Sequence, residues 1–341
     1  MAQRVIVITG ASSGIGLATA HAFAERGDAV VLAARREQAL EEAAAECRRL
    51  GGEALAVPTD VTSAEAVEAL AARATEAFGR IDVWVNNAGV TAFGRIEDVP
   101  MELYRRVFET NVFGCVHGMR AALPRFRSQG YGIVINVASM IAHMPQPLAS
   151  AYVGSKFAVR AISEGVRMEL ALEDAPGVRV CTVMPASTDT PLFASAANYS
   201  GRAIKPMNPV YPAEEVARTI LDVADRPRPA AYAGGAGHAM AIVHEALHPV
   251  APVAIERQIA AMIDRDHFQD RPEAESRGNL LAPVGGRAEV SGGWPHTAPS
   301  ASPAKAFAAA GAALAAGVLG YALWRNRRSR PQLPAAAGEA W

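Results

Sequence analysis

The residues with the clearest chemical potential lie between Ser139 and Lys156. Tyr152 and Lys156 are four residues apart, so on a helix their side chains share one face. A free phenol has a pKa of about 10, and a neighbouring ammonium favours the phenolate and lowers that pKa. A tyrosine tuned in this way exchanges a proton with the oxygen of an alcohol or a carbonyl group. Taken alone, the pair has an alternative interpretation as two exposed side chains on a helix surface.

Ser139 supplies a third polar group near this pair. It ends the apolar run GIVINVAS, which predicts a buried strand. Because the strand places Ser139 just before the helix of Tyr152, we expect its hydroxyl to hydrogen-bond the same substrate oxygen.

Composition limits the classes of protein that fit the chain. Its 341 residues and formal net charge of −1 fit one large α/β domain with an appendage and argue against a nucleic-acid surface. The three cysteines, Cys47, Cys115 and Cys181, are scattered, which indicates a reducing compartment without disulfides. A strand begins almost at the first residue, so we expect no signal peptide and a cytoplasmic catalytic domain.

A glycine-rich turn follows the first predicted strand, Val5 to Gly10, and opens a helix that ends at Gly27. Glycines in such a turn let the backbone approach a pyrophosphate, which lies at the helix N-terminus. An ordinary tight turn is the alternative. The cofactor contacts expected here are Gly10, Ser12, Ser13, Gly14, Ile15 and Gly16.

The end of the second strand indicates which dinucleotide binds. A carboxylate at this point would bind the ribose 2′-hydroxyl and repel a 2′-phosphate, but the chain has Ala34 followed by Arg35 and Arg36. Two guanidinium groups suit a phosphate, so the sequence predicts NADP(H) rather than NAD(H). A solvated basic loop is the alternative.

Two further strand ends extend the predicted cofactor site. Asp60 ends the third strand beside Val61 and would accept a hydrogen bond from the adenine amino group. The fourth strand leads into small and polar residues against which a cofactor would lie, namely Asn87, Ala88 and Gly89.

Asn111 falls inside a predicted helix from Met101 to Arg127, where asparagine is a poor helix former. It is either a structural residue bonded locally or the site of a kink that frees a carbonyl for a water.

After the sixth strand, Val178 to Pro185, a segment rich in Pro, Ser and Ala suits a mobile lid. Its Leu192 and Phe193 would cover an apolar substrate.

The alternation of strands and helices predicts the fold class. It is an α/β protein with a doubly wound parallel sheet (a Rossmann fold), forming a single domain with a C-terminal extension. Ligands of such sheets bind at the carboxyl edge of the strands, where the glycine turn, Ser139 and Pro185 all fall.

The chain resembles the short-chain dehydrogenase/reductase family from about Arg4 to Ala233. The motifs that carry the resemblance are TGASSGIG from Thr9, NNAG from Asn86, Asn111, Ser139 and YVGSK from Tyr152, in the family's order and spacing. The resemblance implies hydride transfer between nicotinamide and a carbinol or carbonyl carbon, with Tyr152 as general acid/base. It further implies that Lys156 lowers the pKa of Tyr152 and binds the nicotinamide ribose, that Ser139 holds the substrate oxygen, and that Asn111 seats a relay water.

The resemblance also extends to the loop after the sixth strand. Thr190 matches the threonine that meets the carboxamide, and Pro185 and Thr188 are expected contacts beside it. The chain departs from the family here, since Ala186 stands where a glycine is usual. The run AARR at Ala33 to Arg36 looks like that of NADP-preferring members, and the family's habit implies a homodimer or homotetramer through the helices of Asn111 and Tyr152.

We therefore expect an NADP(H)-dependent oxidoreductase acting on a small-molecule alcohol or ketone, with substrate contacts from Ser139, Ile141, Tyr152, Leu192 and Phe193. The apolar side chains in this set favour a hydrophobic substrate. Two alternatives remain: a dehydratase or epimerase on the same fold, and a protein that senses NADP(H) without turnover.

The C-terminal third divides into segments that the resemblance does not cover. We expect a catalytic domain over 1–235, a helical extension over 236–270 and a Gly/Pro/Ser-rich linker over 271–304. HEALH, at His244 to His248, matches a zinc-protease pattern, but Pro249 tends to end the helix and a third ligand is not evident. The sequence therefore predicts no metal.

Residues 305–325 form the predicted membrane helix, followed by a tail over 326–341 that is first basic and then rich in alanine. Ala306 to Trp324 has 19 uncharged residues, enough to span about 29 Å as a helix. An alanine-rich surface helix is the alternative. The arginines after Trp324 would stay cytosolic by the positive-inside rule, as would the catalytic domain, and one span cannot satisfy both.

Overall fold

The computed structural model describes residues 3–173, 175–249 and 252–296. Its central feature is a seven-stranded parallel sheet in the order β3-β2-β1-β4-β5-β6-β7. The doubly wound parallel sheet predicted from the sequence is confirmed. The strands are β1 (Val5–Thr9), β2 (Ala29–Ala34), β3 (Glu53–Pro58), β4 (Val83–Asn86), β5 (Gly132–Val137), β6 (Val178–Pro185) and β7 (Ala230–Ala233).

Helices cover both faces of the sheet, which explains why its strands are apolar at successive positions. The helices are α1 (Gly14–Ala24), α2 (Glu37–Arg49), α3 (Ala64–Phe78), α4 (Met101–Phe108), α5 (Gly114–Gln129), α6 (Ser150–Leu172), α7 (Ala213–Asp225), α8 (Gly235–Leu247) and α9 (Pro252–His267). Val5 and Val7 of β1 pack on one face with α3, α5 and α6, whereas Ile6 and Ile8 pack on the other with α1, α2 and α7.

The helix predicted from Met101 to Arg127 is two helices joined by a π-helical turn over Glu109–Phe113. Asn111 lies in this turn, so the irregularity falls where the sequence indicates a kink. Its side chain bonds the backbone of Val90, accepting from the amide at 2.8 Å and donating to the carbonyl at 2.9 Å. Asn111 therefore makes the local hydrogen bonds that one of its two interpretations requires.

The extension over 236–270 is not entirely helical. After α8 and α9, Phe268–Pro272 forms a short strand that pairs antiparallel with Arg202–Ile204. On α9, Ile255, Ile259 and Ile263 are buried against the segment that precedes α6 and the segment that follows β6. This packing fixes the extension beside the carboxyl edge of the sheet.

The predicted linker over 271–304 lies within the described residues as far as residue 296. Its residues 273–296, here named the strap, bond to the rest of the protein. The Glu289 carbonyl accepts from the Gly14 amide at 2.9 Å, and Leu280 is fully buried. The buried carboxylate of Asp189 accepts from the Gly292 amide at 2.8 Å and the Trp294 amide at 3.0 Å. Glycine and proline exclude helix and strand from this segment, but its main-chain groups still bond the rest of the protein.

The candidate membrane segment, Ala306 to Trp324, and the tail after it lie outside the described residues. Among the helices of residues 3–173, 175–249 and 252–296, none combines the length and apolarity that a membrane span requires.

A buried polar network links the sheet to the helices on one face. The Trp84 indole donates to Asn86 Oδ1 at 2.8 Å, and Asn86 Nδ2 donates to Asn136 Oδ1 at 2.8 Å. Gly118 on α5 passes directly over this network. A Cβ at Gly118 would overlap Asn86 Oδ1 and come within 2.5 Å of Trp84 Nε1.

We expect Gly118→Ala to lower the free energy of unfolding by about 1–3 kcal/mol, because the added methyl forces buried, bonded side chains to move. Gly165→Ala on α6 is the matched control, since nothing lies within 4 Å of its new Cβ. There the better helix propensity of alanine should raise stability by up to about 1 kcal/mol. Urea unfolding of both variants measures the difference. Equal effects in the two variants would contradict the close packing at Gly118.

Candidate active site

A cavity of about 470 Å³ lies at the carboxyl edge of the sheet. It brings together the residues that the sequence predicts for the site, with two exceptions. Gly16 and Asn111 do not line the cavity and support it from behind. The predicted residues that line it are Gly10, Ser12, Ser13, Gly14, Ile15, Arg35, Arg36, Asp60, Val61, Asn87, Ala88, Gly89, Ser139, Ile141, Tyr152, Lys156, Pro185, Thr188, Thr190, Leu192 and Phe193.

Tyr152 and Lys156 share one face of α6 and both face the cavity. Lys156 Nζ lies 5.6 Å from the centroid of the Tyr152 ring. The ammonium is buried and donates to the carbonyl oxygen of Val137 at 2.9 Å, at the end of β5. This hydrogen bond fixes the lysine against the sheet, beneath the phenol.

The protonation of this pair differs from the sequence prediction. Burial raises the pKa of Tyr152 to about 12, although a hydrogen bond with Ser139 acts in the opposite direction. Burial also lowers the pKa of Lys156 to about 8. Both shifts have the same cause, because a site deep in the protein disfavours the charged form of each group. The pKa of Tyr152 is therefore shifted upward, whereas the neighbouring ammonium predicts a downward shift.

Ser139 and Asn111 occupy different depths around the pair. Ser139 begins a short 3₁₀ turn, Met140–Ala142, and lines the cavity beside Tyr152. Asn111 Nδ2 donates to the Ser155 hydroxyl at 2.9 Å, one residue before Lys156. Asn111 thus ties the π-helical turn to α6 from outside the cavity. Its role in a water relay stays a prediction.

The glycine turn has room for backbone alone. A Cβ on Gly16 would overlap the Gly10 carbonyl oxygen and lie 2.5 Å from Asn87 Nδ2. Gly10 has a φ of +68°, and its Cβ would lie 2.9 Å from the Ala88 Cα. Asn87 Nδ2 donates to the Thr9 carbonyl at 2.9 Å, which joins the turn to the end of β4. The result is a main-chain surface open to the cavity at the start of α1, suited to an extended anion such as a pyrophosphate.

Arg35 and Arg36 line the cavity, but their guanidinium groups already bind the strap. Arg35 Nη2 donates to the Asn279 carbonyl at 2.6 Å and Arg36 Nη1 donates to the Gly286 carbonyl at 3.2 Å. Burial lowers the pKa of Arg35, and the charges of Arg106 and Arg36 add to that effect. Both arginines at this end of the cavity are thus partly buried, and both donate to carbonyl oxygens of the strap.

Asp60 lines the same end of the cavity with both carboxylate oxygens engaged. Oδ1 accepts from the Thr62 amide at 3.0 Å and hydroxyl at 2.8 Å, and Oδ2 accepts from Arg106 Nη2 at 2.9 Å. Burial acts to raise the pKa of Asp60, but these donors outweigh it and hold the pKa below its ordinary value. An adenine amino group bound here would donate to a carboxylate oxygen of Asp60 that already accepts one of these hydrogen bonds.

The opposite end of the cavity is apolar. Ile141, Leu192 and Phe193 line it as predicted. Among the lining residues here that the sequence interpretation missed are Phe93 and His267. A signal for His267 was available, since it continues the four-residue spacing of the buried isoleucines on α9. Phe93 had none, because it comes from a two-residue strand, Ala92–Phe93.

The histidines of the HEALH motif lie one turn apart at the end of α8, with His248 directly after its last residue, and their ring centroids are 4.8 Å apart. Glu245 between them points to the turn after Ser139, where its carboxylate lies 2.6 Å from His143 Nδ1 and accepts from Arg160 at 3.4 Å. Within the part of the chain that the structure describes, no group of three or more His, Cys, Asp or Glu side chains is arranged to hold a metal. The motif contributes Glu245 as an anchor for the turn that carries Ser139.

Comparisons with known proteins agree with this geometry. A family model described as short chain dehydrogenase matches residues 4–199. The chain is similar to a Bacillus subtilis (strain 168) protein named uncharacterized oxidoreductase YxnA, with 38% identity over 285 residues, covering 83% of this chain and 79% of the relative.

Two solved structures are similar over most of their length. One is an alcohol dehydrogenase from the archaeon Thermococcus sibiricus complexed with 5-hydroxy-NADP, with 30% identity and a TM-score of 0.60, covering 68% of this chain and 96% of that one. The other is a short chain dehydrogenase/reductase from Burkholderia phymatum in complex with NAD, with 28% identity and a TM-score of 0.66, covering 73% of this chain and 95% of that one.

Proposed function

The chain belongs to the short-chain dehydrogenase family, and on that premise we propose that it is an NADP(H)-dependent oxidoreductase acting on an apolar alcohol or ketone. One observation carries the proposal. Tyr152, Lys156 and Ser139 lie in the same cavity as a glycine turn with space for main chain alone. A proton-transfer group and a dinucleotide-binding surface are therefore adjacent, as redox chemistry at a carbinol carbon requires.

The residues around the cavity fit a nicotinamide dinucleotide. The turn from Gly10 to Ile15 would hold the pyrophosphate, and Arg35 and Arg36 would hold a 2′-phosphate. The segment from Pro185 to Thr190 lines the cavity beyond Lys156 and would hold the nicotinamide end. When bound, the cofactor supplies or accepts the hydride.

The side chains of α6 and Ser139 manage the proton. In carbonyl reduction, Ser139 and Tyr152 would hydrogen-bond the substrate oxygen, and Tyr152 would donate its proton as negative charge develops there. A phenol with a pKa of about 12 stays protonated at pH 7, which suits it to act as the acid. The Lys156 ammonium then stabilises the phenolate that remains. In alcohol oxidation the same groups act in reverse.

The preference for NADP(H) rests on charge. Within the described chain, the end of β2 offers no carboxylate to a ribose hydroxyl, whereas two arginines line the cavity there. The Thermococcus relative was solved with an NADP derivative and the Burkholderia relative with NAD, so the family accommodates both. The apolar substrate class rests on Ile141, Leu192 and Phe193.

Tyr152→Phe should reduce kcat by roughly 10²–10⁴-fold, because the ring stays in place without the transferable proton. NADPH affinity, measured by fluorescence titration, should change little. Tyr131→Phe is the control, since Tyr131 is exposed and does not line the cavity. Retention of more than a few per cent of turnover by Tyr152→Phe would contradict the assignment.

The rate of carbonyl reduction should be constant at neutral pH and fall above about pH 8, measured as kcat with saturating NADPH. The pKa of Lys156 lies below that of free lysine, so the ammonium is present below about pH 8 and lost above it. Lys156→Arg keeps a charge at high pH, so the remaining activity of this variant should lack the alkaline decline. The same decline in both proteins would assign it to another group.

Arg35→Ala and Arg36→Ala should each lower kcat/KM for NADPH by about tenfold or more, since each removes a charge-assisted contact to the 2′-phosphate. The values for NADH should fall less, which separates loss of the phosphate contact from loosening of the strap. Arg73→Ala, exposed on α3, is the control. Equal losses with NADPH and NADH would refute the proposed phosphate site.

A further inference from the structure

His267 is the last residue of α9 and lies at the apolar end of the cavity. It follows Ile255, Ile259 and Ile263 at the same four-residue spacing, on the buried stripe of the helix. A histidine on such a stripe is most simply a core residue with both nitrogens satisfied. Here the ring lines the cavity while the side chain is 3% exposed, so it forms part of the wall.

Main-chain bonds fix the orientation of the His267 ring. Nδ1 bonds the carbonyl oxygen of Lys205, and the Lys205 amide donates to the His267 carbonyl at 3.0 Å. Phe93 and Phe193 meet the ring edge-to-face, at centroid distances of 5.0 and 5.7 Å. The ring is therefore held on several sides and cannot turn without breaking these contacts.

The partner of Nδ1 also determines where the proton lies. A carbonyl oxygen can only accept, so Nδ1 carries the hydrogen. Burial lowers the pKa of His267 to about 4, hence the ring is neutral at pH 7 and Nε2 presents a lone pair. Nε2 makes no hydrogen bond to any residue within the described ranges, and unlike the nitrogens of His244 it is not sealed inside the protein.

We propose that His267 determines substrate specificity, with Nε2 accepting a hydrogen bond from a hydroxyl or N–H group on an otherwise apolar alcohol or ketone. The site thus recognises two points of one molecule. Tyr152 and Ser139 hold the reacting oxygen, and His267 holds a second donor on the apolar body. This inference rests on the proposed function and narrows it to substrates with a second polar group.

A lost hydrogen bond to Nε2 discriminates against substrates that have no second donor. A neutral acceptor in an apolar wall loses a hydrogen bond when the ligand that fills the cavity has no donor for it. Sites built to bond a substrate hydroxyl reject analogues without it far more strongly than apolar pockets distinguish methylenes. Phe93, Phe193 and Ile141 provide the apolar surroundings in which this contrast is large.

The test uses the full-length protein with NADPH and matched ketones, namely decalone and a set of hydroxydecalones that differ in hydroxyl position. We expect the wild type to favour at least one hydroxydecalone over decalone by about tenfold or more in kcat/KM. His267→Leu should bring that ratio close to one, and His267→Gln, which keeps an acceptor, should retain part of it. His248→Leu, directly after α8 and outside the cavity, should keep the wild-type ratio, and thermal melting checks that every variant is folded.

Ligand affinity is measured in parallel by titration in the presence of NADP⁺, so that the result does not depend on turnover. Preferential binding of a hydroxydecalone without any NADPH oxidation would support the role of His267 and refute the proposed reaction. Turnover of all the ketones at equal efficiency would support the proposed reaction and refute the role of His267. A preference that survives in folded His267→Leu, or failure of every isomer to bind better than decalone, would overturn the inference.

Discussion

An ammonium group removed from solvent needs a hydrogen-bond acceptor, and Lys156 finds one in the carbonyl oxygen of Val137. Val137 is the last residue of β5 and pairs with Val183 of β6, so the register of the sheet sets the position of the lysine. Tyr152 is placed by the same helix, and Ser139 by the turn that leaves the same strand. The relative positions of these three side chains therefore depend on how α6 packs against the end of β5.

The rest of the site follows from the parallel sheet. All seven strands end at the same edge, so turns that are far apart in sequence meet there. Position 16, at the end of the turn after β1, has to be glycine because the Gly10 carbonyl and Asn87 occupy the space that a side chain would need. The polar network of Trp84, Asn86 and Asn136 lies beneath this edge and is satisfied within the protein. The position of the cavity is thus a consequence of the topology.

Much of this arrangement can be predicted from the sequence, since glycine turns, β-branched runs and the spacing of Tyr152 and Lys156 are local signals. The direction of the Tyr152 pKa shift could not be, because spacing reveals a neighbouring charge but not the depth of the pocket around both groups. The wall formed by Phe93 and His267 depends on contacts between distant segments. The composition of the predicted linker does not reveal where the main chain of residues 273–296 binds the rest of the protein, because those bonds join segments that are distant in sequence.

The strap has a consequence for how tightly the protein can hold any anion at this edge. Its carbonyl oxygens accept hydrogen bonds from Arg35 and Arg36, so a phosphate bound as proposed would have to share or displace bonds that the chain makes with itself. The net affinity would then be the difference between two sets of contacts, one intermolecular and one intramolecular. Sequence changes in residues 279–289 would alter that difference without changing a residue of the glycine turn, although the two segments lie more than two hundred residues apart in the chain.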